Sequence, residues 1–205
     1  MPGTPSPFLD AWSSFYVMAG SSAASLTGLM FVVITLVMRI QRSRRSDDGI
    51  ATFSTPTVMH FAAVLFISAN LCAPWQRLIH PSIIVGVSGL FGVIYMCRIM
   101  YRTKQLREYV ADVEDWVWYN LFPLLAYALI FAGAVGLMIV PGISMFALGG
   151  GAVSLLFIGI RNAWDVVTFI ATADPETLAP ASRESTQGAR GTAPEQSGDN
   201  EVNEP

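Results

Sequence analysis

The residues of this chain that could do chemistry are few, and they fall into two groups. The first centres on Arg161-Asn162-Ala163-Trp164-Asp165, the most distinctive polar cluster in an otherwise apolar sequence. Arg161 and Asp165 are four residues apart, one turn of a helix, and can pair. Gly151, Ser154, Ile158, Thr168 and Thr172 share their face. His60, Arg98, Asp115, Tyr119 and Asn120 stand near the ends of other apolar runs. Charged and polar groups at the edge of hydrocarbon are costly, so they face protein or water and mark binding or proton-transfer sites. His60, Arg98, Asp115, Tyr119, Asn120, Arg161, Asn162 and Asp165 are therefore expected to form one polar pocket, fit for a lipid phosphate or a proton. The plainer alternatives are a structural hydrogen bond for His60, a helix N-cap for Asp115 and a snorkelling anchor pair for Arg161 and Asp165.

The second group is a stripe of small and hydroxyl residues. Ser14, Met18, Ser21, Ser25, Gly28, Val32, Thr35 and Arg39 are spaced by threes and fours along one helical seam, with Gly20, Ala24 and Gly28 beside it. Small residues let membrane helices approach closely, and hydroxyls bond across the contact. The stripe is expected either to pack inside the bundle or to line a water-filled path; Ser14, Ser21, Ser25, Gly28 and Thr35 are its key positions.

Other constellations fail on geometry. Cys72 and Cys97 fall at opposite ends of their runs, on the order of 20 Å apart and beyond disulfide reach. His60 and His80 lie on opposite sides and cannot share a metal. Gly149-Gly150-Gly151 has no Gly-Lys-Ser/Thr after it, and no Gly-x-Ser-x-Gly element occurs. The sequence therefore nominates no catalytic residue, cofactor or metal. A net charge of −3 argues against nucleic acid as a partner.

The elements that must position these residues are membrane helices. The chain is 53% hydrophobic and 13% charged, about half the charge of a soluble domain. Its apolar runs predict an all-α, polytopic transmembrane bundle of five spans, at 15–38, 56–73, 82–101, 116–140 and 143–169. Thr55-Pro56 reads as the N-cap and first-turn proline of the second span. Pro74 and Pro81 bracket one loop, and Pro141-Gly142 reads as a turn before the fifth span. Pro123 withdraws a hydrogen bond from the Tyr119 carbonyl, so a kink is expected there. Counting from Ile143, Arg161 lies about 27 Å along the fifth span at 1.5 Å per residue, near the membrane boundary.

Arginine sets the expected orientation. Arg39, Arg42, Arg44 and Arg45 follow the first span, and Arg98, Arg102, Lys104 and Arg107 end or follow the third. Positive loops stay inside, which places the N-terminus outside and the C-terminus in the cytoplasm. All five tryptophans (Trp12, Trp75, Trp116, Trp118, Trp164) fall near span ends, at the headgroup level that indole favours. Leu106, Tyr109, Val110 and Val113 form one helical stripe that extends the third helix inward. The first apolar run follows no basic start and is too long for a cleaved leader, so it is expected to remain as an anchor. Residues 1–174 thus form the helical domain. Residues 175–205, with six acids and no aromatic residue, form an acidic tail expected to be disordered.

Three functions remain for such a chain in the cell membrane. One is an accessory or scaffold protein with a polar pocket at its cytoplasmic end and a tail that reaches a cytoplasmic partner. Another is a homo-oligomeric channel or transport-like protein lined by the first span. The third, an enzyme acting on inner-leaflet lipid, needs His60, Asp115 and Asp165 to converge. The expected partners are the bilayer and further copies of the chain.

Overall fold

The structure is a computed structural model that describes residues 6–41, 50–105 and 116–172. Asp115, the basic run Arg42–Arg45, the stripe from Leu106 to Val113 and the tail 175–205 lie outside the described residues. Five α-helices account for nearly all of the rest, with no strand among the described residues: α1 (Pro7–Gln41), α2 (Ile50–Cys72), α3 (Ile79–Gln105), α4 (Phe122–Gly136) and α5 (Pro141–Thr172). A π-helical turn, Val117–Leu121, leads into α4.

Four segments are long and apolar enough to cross a membrane: Pro7–Thr35, Ile79–Tyr101, Val117–Gly136 and Pro141–Asp165. The apolar part of α2, Pro56–Cys72, is shorter. The outer surface carries large apolar side chains in the open, among them Val32, Ile83, Val87, Ile143, Phe146 and Phe157. Water penalises so much exposed apolar area, whereas lipid does not, and the helices satisfy their own backbone groups.

Helix α5 is the hub. It packs against α4, α2 and α1, while α1 rests mainly on α2 and α3 on α4. Half of the apolar window of α5 is buried (50%), against 22% for α1. The core between them holds Tyr16, Phe61, Ile67, Ile130, Leu148 and Leu155, all essentially inaccessible. Helices α2 and α3, consecutive in sequence, barely touch.

Several boundaries differ from the sequence reading, and prolines explain most of the differences. Helix α2 begins at Ile50, so Pro56 lies inside it and not at its first turn. Pro81 sits in the first turn of α3, where its missing N–H would be unpaired in any case, so it does not close the preceding loop. Pro141 opens α5, and the reversal comes earlier, where Ile139 and Val140 donate back to the Gly136 carbonyl at 2.9 and 2.8 Å. Helix α1 starts at Pro7, eight residues before the expected span, while α3 does continue past Tyr101 to Gln105. The kink expected at Pro123 takes the form of the π-helical turn: Phe122 N–H reaches the Val117 carbonyl, five residues back, just before the proline.

Candidate polar site at the basic end of the bundle

One end of the bundle collects Arg39 in the last turns of α1, the start of α2, the last turns of α3 and α5, and the π-helical turn. The remaining termini form the opposite end, closed by short loops. The Ser6 N–H donates to the Trp75 carbonyl at 3.0 Å, and Trp75 Nε1 donates to the Asn70 carbonyl at 2.8 Å. Trp12 and Trp75 lie at that closed end, and Trp116, Trp118 and Trp164 at the basic end, so indoles ring both.

The π-helical turn organises the outer layer of the basic end. Its Tyr119 hydroxyl donates to Asp165 Oδ2 of α5 at 3.2 Å. The Arg161 guanidinium lies 4.6 Å from the ring centre of Trp118, a cation–π contact. Asn120 is buried and donates to the Trp116 carbonyl at 3.2 Å. Two neighbours of Pro123 thus hold the two charged residues of α5.

A deeper layer is built on α2. The His60 ring is fully buried, with Nδ1 3.1 Å from the Tyr127 hydroxyl of α4. Its Nε2 has no partner within the described structure. Phe61, the next residue, packs on Gly159 of α5, where an added Cβ would strike its ring. That contact fixes the antiparallel register of α2 and α5 and sets Asn162 one turn further toward the basic end. Asn162 is 1% exposed, and neither its amide nitrogen nor its amide oxygen has a partner among the described residues. Buried polar groups are normally paired, so this amide is suited to accept and donate to a further molecule.

The sequence-nominated pocket therefore divides. Tyr119 meets Asp165 and Trp118 meets Arg161 at the π-helical turn, with Asn162 buried between the two charged residues on α5, while His60 lies deeper on α2. Arg98 joins neither: it is exposed on the outer face of α3, in a groove with Val93, Ile94, Cys97 and Tyr101. Asp115 is outside the described residues. Tyr119 and Tyr127, the partners of Asp165 and His60, are eight residues apart, about 12 Å of helix at 1.5 Å per residue. His60 and Asp165 thus bond to different tyrosines, about two helical turns apart. Among the described residues, no three His, Cys, Asp or Glu side chains gather in a metal-binding group.

Two partners are missing from the sequence reading. Tyr127 lies in an apolar run, but its phenol needs a hydrogen bond once buried, which was a usable signal. Trp118 reads in sequence as an interfacial anchor, and nothing in its spacing shows that Arg161 folds over it.

The small-residue stripe of α1 also needs correction as a packing seam within the chain. Ser14, Ser21, Ser25, Gly28 and Thr35 are all exposed, and nothing lies within 4 Å of a Cβ placed on Gly28. The buried face of α1 is instead Leu9, Tyr16, Ala19, Gly20, Ala23 and Met30, because the larger residues of that face reach the core. Only Gly20, from the row beside the stripe, makes a close approach, onto Ser68 of α2. Ser22, Ser25 and Thr35 donate to carbonyls one turn back, at 2.9, 3.0 and 2.7 Å, so they need no water. No protein-family model, curated protein or solved structure matches this chain.

Proposed function

We propose that this chain is a multi-pass protein of the cell membrane that crosses the bilayer five times, N-terminus outside and C-terminus in the cytoplasm. We further propose that it acts as an accessory or scaffold protein whose basic end engages a partner. The short apolar stretch of α2 does not count against a fifth crossing, since the 23-residue helix is about 34 Å long at 1.5 Å per residue. Arginine placement supports the orientation. Cysteines introduced at Ser46 and Ser185, in a chain lacking Cys72 and Cys97, should react with impermeant thiol reagents only after the membrane is opened. A cysteine at Pro5 should react in intact cells, and labelling of Ser46 from outside overturns the orientation.

The observation that carries the accessory reading is the buried, unpartnered Asn162 amide beside the Tyr119–Asp165 and Arg161–Trp118 contacts. Such an arrangement is fitted to bind and orient a polar group. A photo-crosslinking residue in place of Trp164, which is exposed on the same helix, should give a discrete adduct in native membranes. The adduct should weaken in Asn162→Leu. Absence of any adduct removes the reading. The acidic tail 175–205 is a second contact for such a partner.

The exposed stripe of α1 favours a second reading, a homo-oligomer joined through α1, with a channel on its symmetry axis as the extreme form. A monomer in mild detergent, together with no ion flux in liposomes, excludes it.

A further inference from the structure

Arg98 and Arg161 both stand toward the basic end of their helices, and the fold treats them differently. Arg98 is 19 residues from the start of α3 and Arg161 is 20 from the start of α5. These are about 28 and 30 Å along the axis, the thickness of the hydrocarbon layer. Arg161 folds over Trp118, inside the bundle. Arg98 points outward, into a shallow groove of about 460 Å³ lined by Val93, Ile94, Cys97, Arg98 and Tyr101. An arginine at that depth on the outer face needs an anionic partner or a route to water.

We infer that this face of α3 holds one anionic phospholipid, with its phosphate on Arg98 and its acyl chain along Val93 and Ile94. The inference rests on the membrane-spanning reading above. The groove is divided as such a lipid is divided. Its wall nearer the bilayer centre is apolar, and one turn on come a guanidinium and the exposed phenol of Tyr101. The guanidinium matches phosphate oxygens in two-bond geometry. Charge favours a net-negative headgroup: Arg98 is the one charged side chain among the residues that line the groove, and it is exposed. A zwitterionic lipid offers the same phosphate but brings its own cation beside the Arg98 guanidinium. A free phosphate ion would use Arg98 but gain nothing from the apolar wall.

The test uses the full chain in phosphatidylcholine nanodiscs doped with phosphatidylglycerol. Lipid retained after release into the gas phase is counted by native mass spectrometry. Wild type should retain phosphatidylglycerol in preference to phosphatidylcholine. Arg98→Gln should lose about fivefold of that preference, the equivalent of ~1 kcal/mol at 1.4 kcal/mol per tenfold. Arg98→Lys should keep part of it, and excess inorganic phosphate should not displace the lipid. Equal retention of the two lipids, or the same preference in Arg98→Gln, overturns the site. Displacement by inorganic phosphate also overturns it, in favour of a simple anion site. Alkaline carbonate extraction of wild-type membranes separates this failure from that of the parent reading, since a chain that does not span the bilayer is released.

Discussion

Two rows of small residues in this protein look alike in sequence and do opposite things in the fold. On α3, Gly86, Gly89 and Gly92 face α4 at intervals of three residues. A Cβ on Gly89 would stand 2.9 Å from the Phe131 backbone nitrogen, and one on Gly92 would enter the Tyr127 ring. On α1, Ser21, Ser25 and Gly28 face outward, and nothing lies within 4 Å of a Cβ placed on Gly28. Smallness permits close approach but does not command it. What separates the rows is the rest of each helix. In α1 the core-filling residues, Tyr16 and Met30, lie on the other face, and packing follows them. In α3 the glycines share their side of the helix with Val85 and Met96, which are buried.

The sharpest way to break this contrast is to add bulk at the α3–α4 seam. Gly89→Leu should cost about 3 kcal/mol of stability, since the obstruction is backbone and cannot swing aside. Thermal unfolding in detergent measures this. A loss within about 0.5 kcal/mol would mean that α3 and α4 are not held together as described.

A smaller effect is expected one turn on, where Gly92 makes room for the Tyr127 ring and Tyr127 meets His60. Tyr127→Phe leaves a buried imidazole without its partner and should cost about 1–3 kcal/mol. His60→Leu combined with Tyr127→Phe removes both polar groups and should cost less than the sum of the two single changes. Strict additivity of the unfolding energies would show that the two side chains do not interact.

How much of this was legible in sequence depends on the kind of signal. Apolar run length located all five helices, because the need to bury backbone polarity in helices leaves few alternatives. Pro123 announced the distortion at the start of α4, since a missing N–H has a fixed consequence. The polar site was half legible. Tyr119 and Asp165 share a hydrogen bond and Arg161 lies over Trp118, but Arg98, at the same end of the bundle, is on an outer face. Depth along a helix follows from counting residues; direction around it depends on which neighbours pack there, and no spacing within α3 states that. The same ambiguity hid which face of α1 packs within the chain. The apolar face of a membrane helix and its core face look alike in sequence, because lipid and core are both apolar.

At the π-helical turn the expected effect is smaller again. Tyr119→Phe deletes one 3.2 Å hydrogen bond to a half-buried carboxylate, worth about 0.5–1.5 kcal/mol. The same loss should appear with Asp165→Asn only if the charge of the acceptor matters to the bond. Stability curves of the two variants, compared at equal detergent, separate these outcomes. No change in Tyr119→Phe would detach the outer layer of the site from the fold.

The smallest effect on the fold, and the closest test of the contrast between the two rows, belongs to Gly28. Nothing within 4 Å opposes a Cβ there, and glycine is a poor helix former. Gly28→Ala should therefore leave the chain unchanged or stabilise it by up to about 1 kcal/mol, where Gly89→Ala destabilises it. Gly28→Leu should likewise fold, since its side chain projects away from α2 and α5. If copies of the chain associate through this face, however, Leu should separate them while leaving each one folded. Unfolding temperature and particle mass in mild detergent then give independent readings. A fall in unfolding temperature for Gly28→Ala would place this face of α1 against something in the folded chain. An unchanged temperature with a halved mass in Gly28→Leu would assign the exposed stripe to a second copy. Unchanged values for both would leave it facing lipid, where its hydroxyls, already bonded to their own helix, cost little.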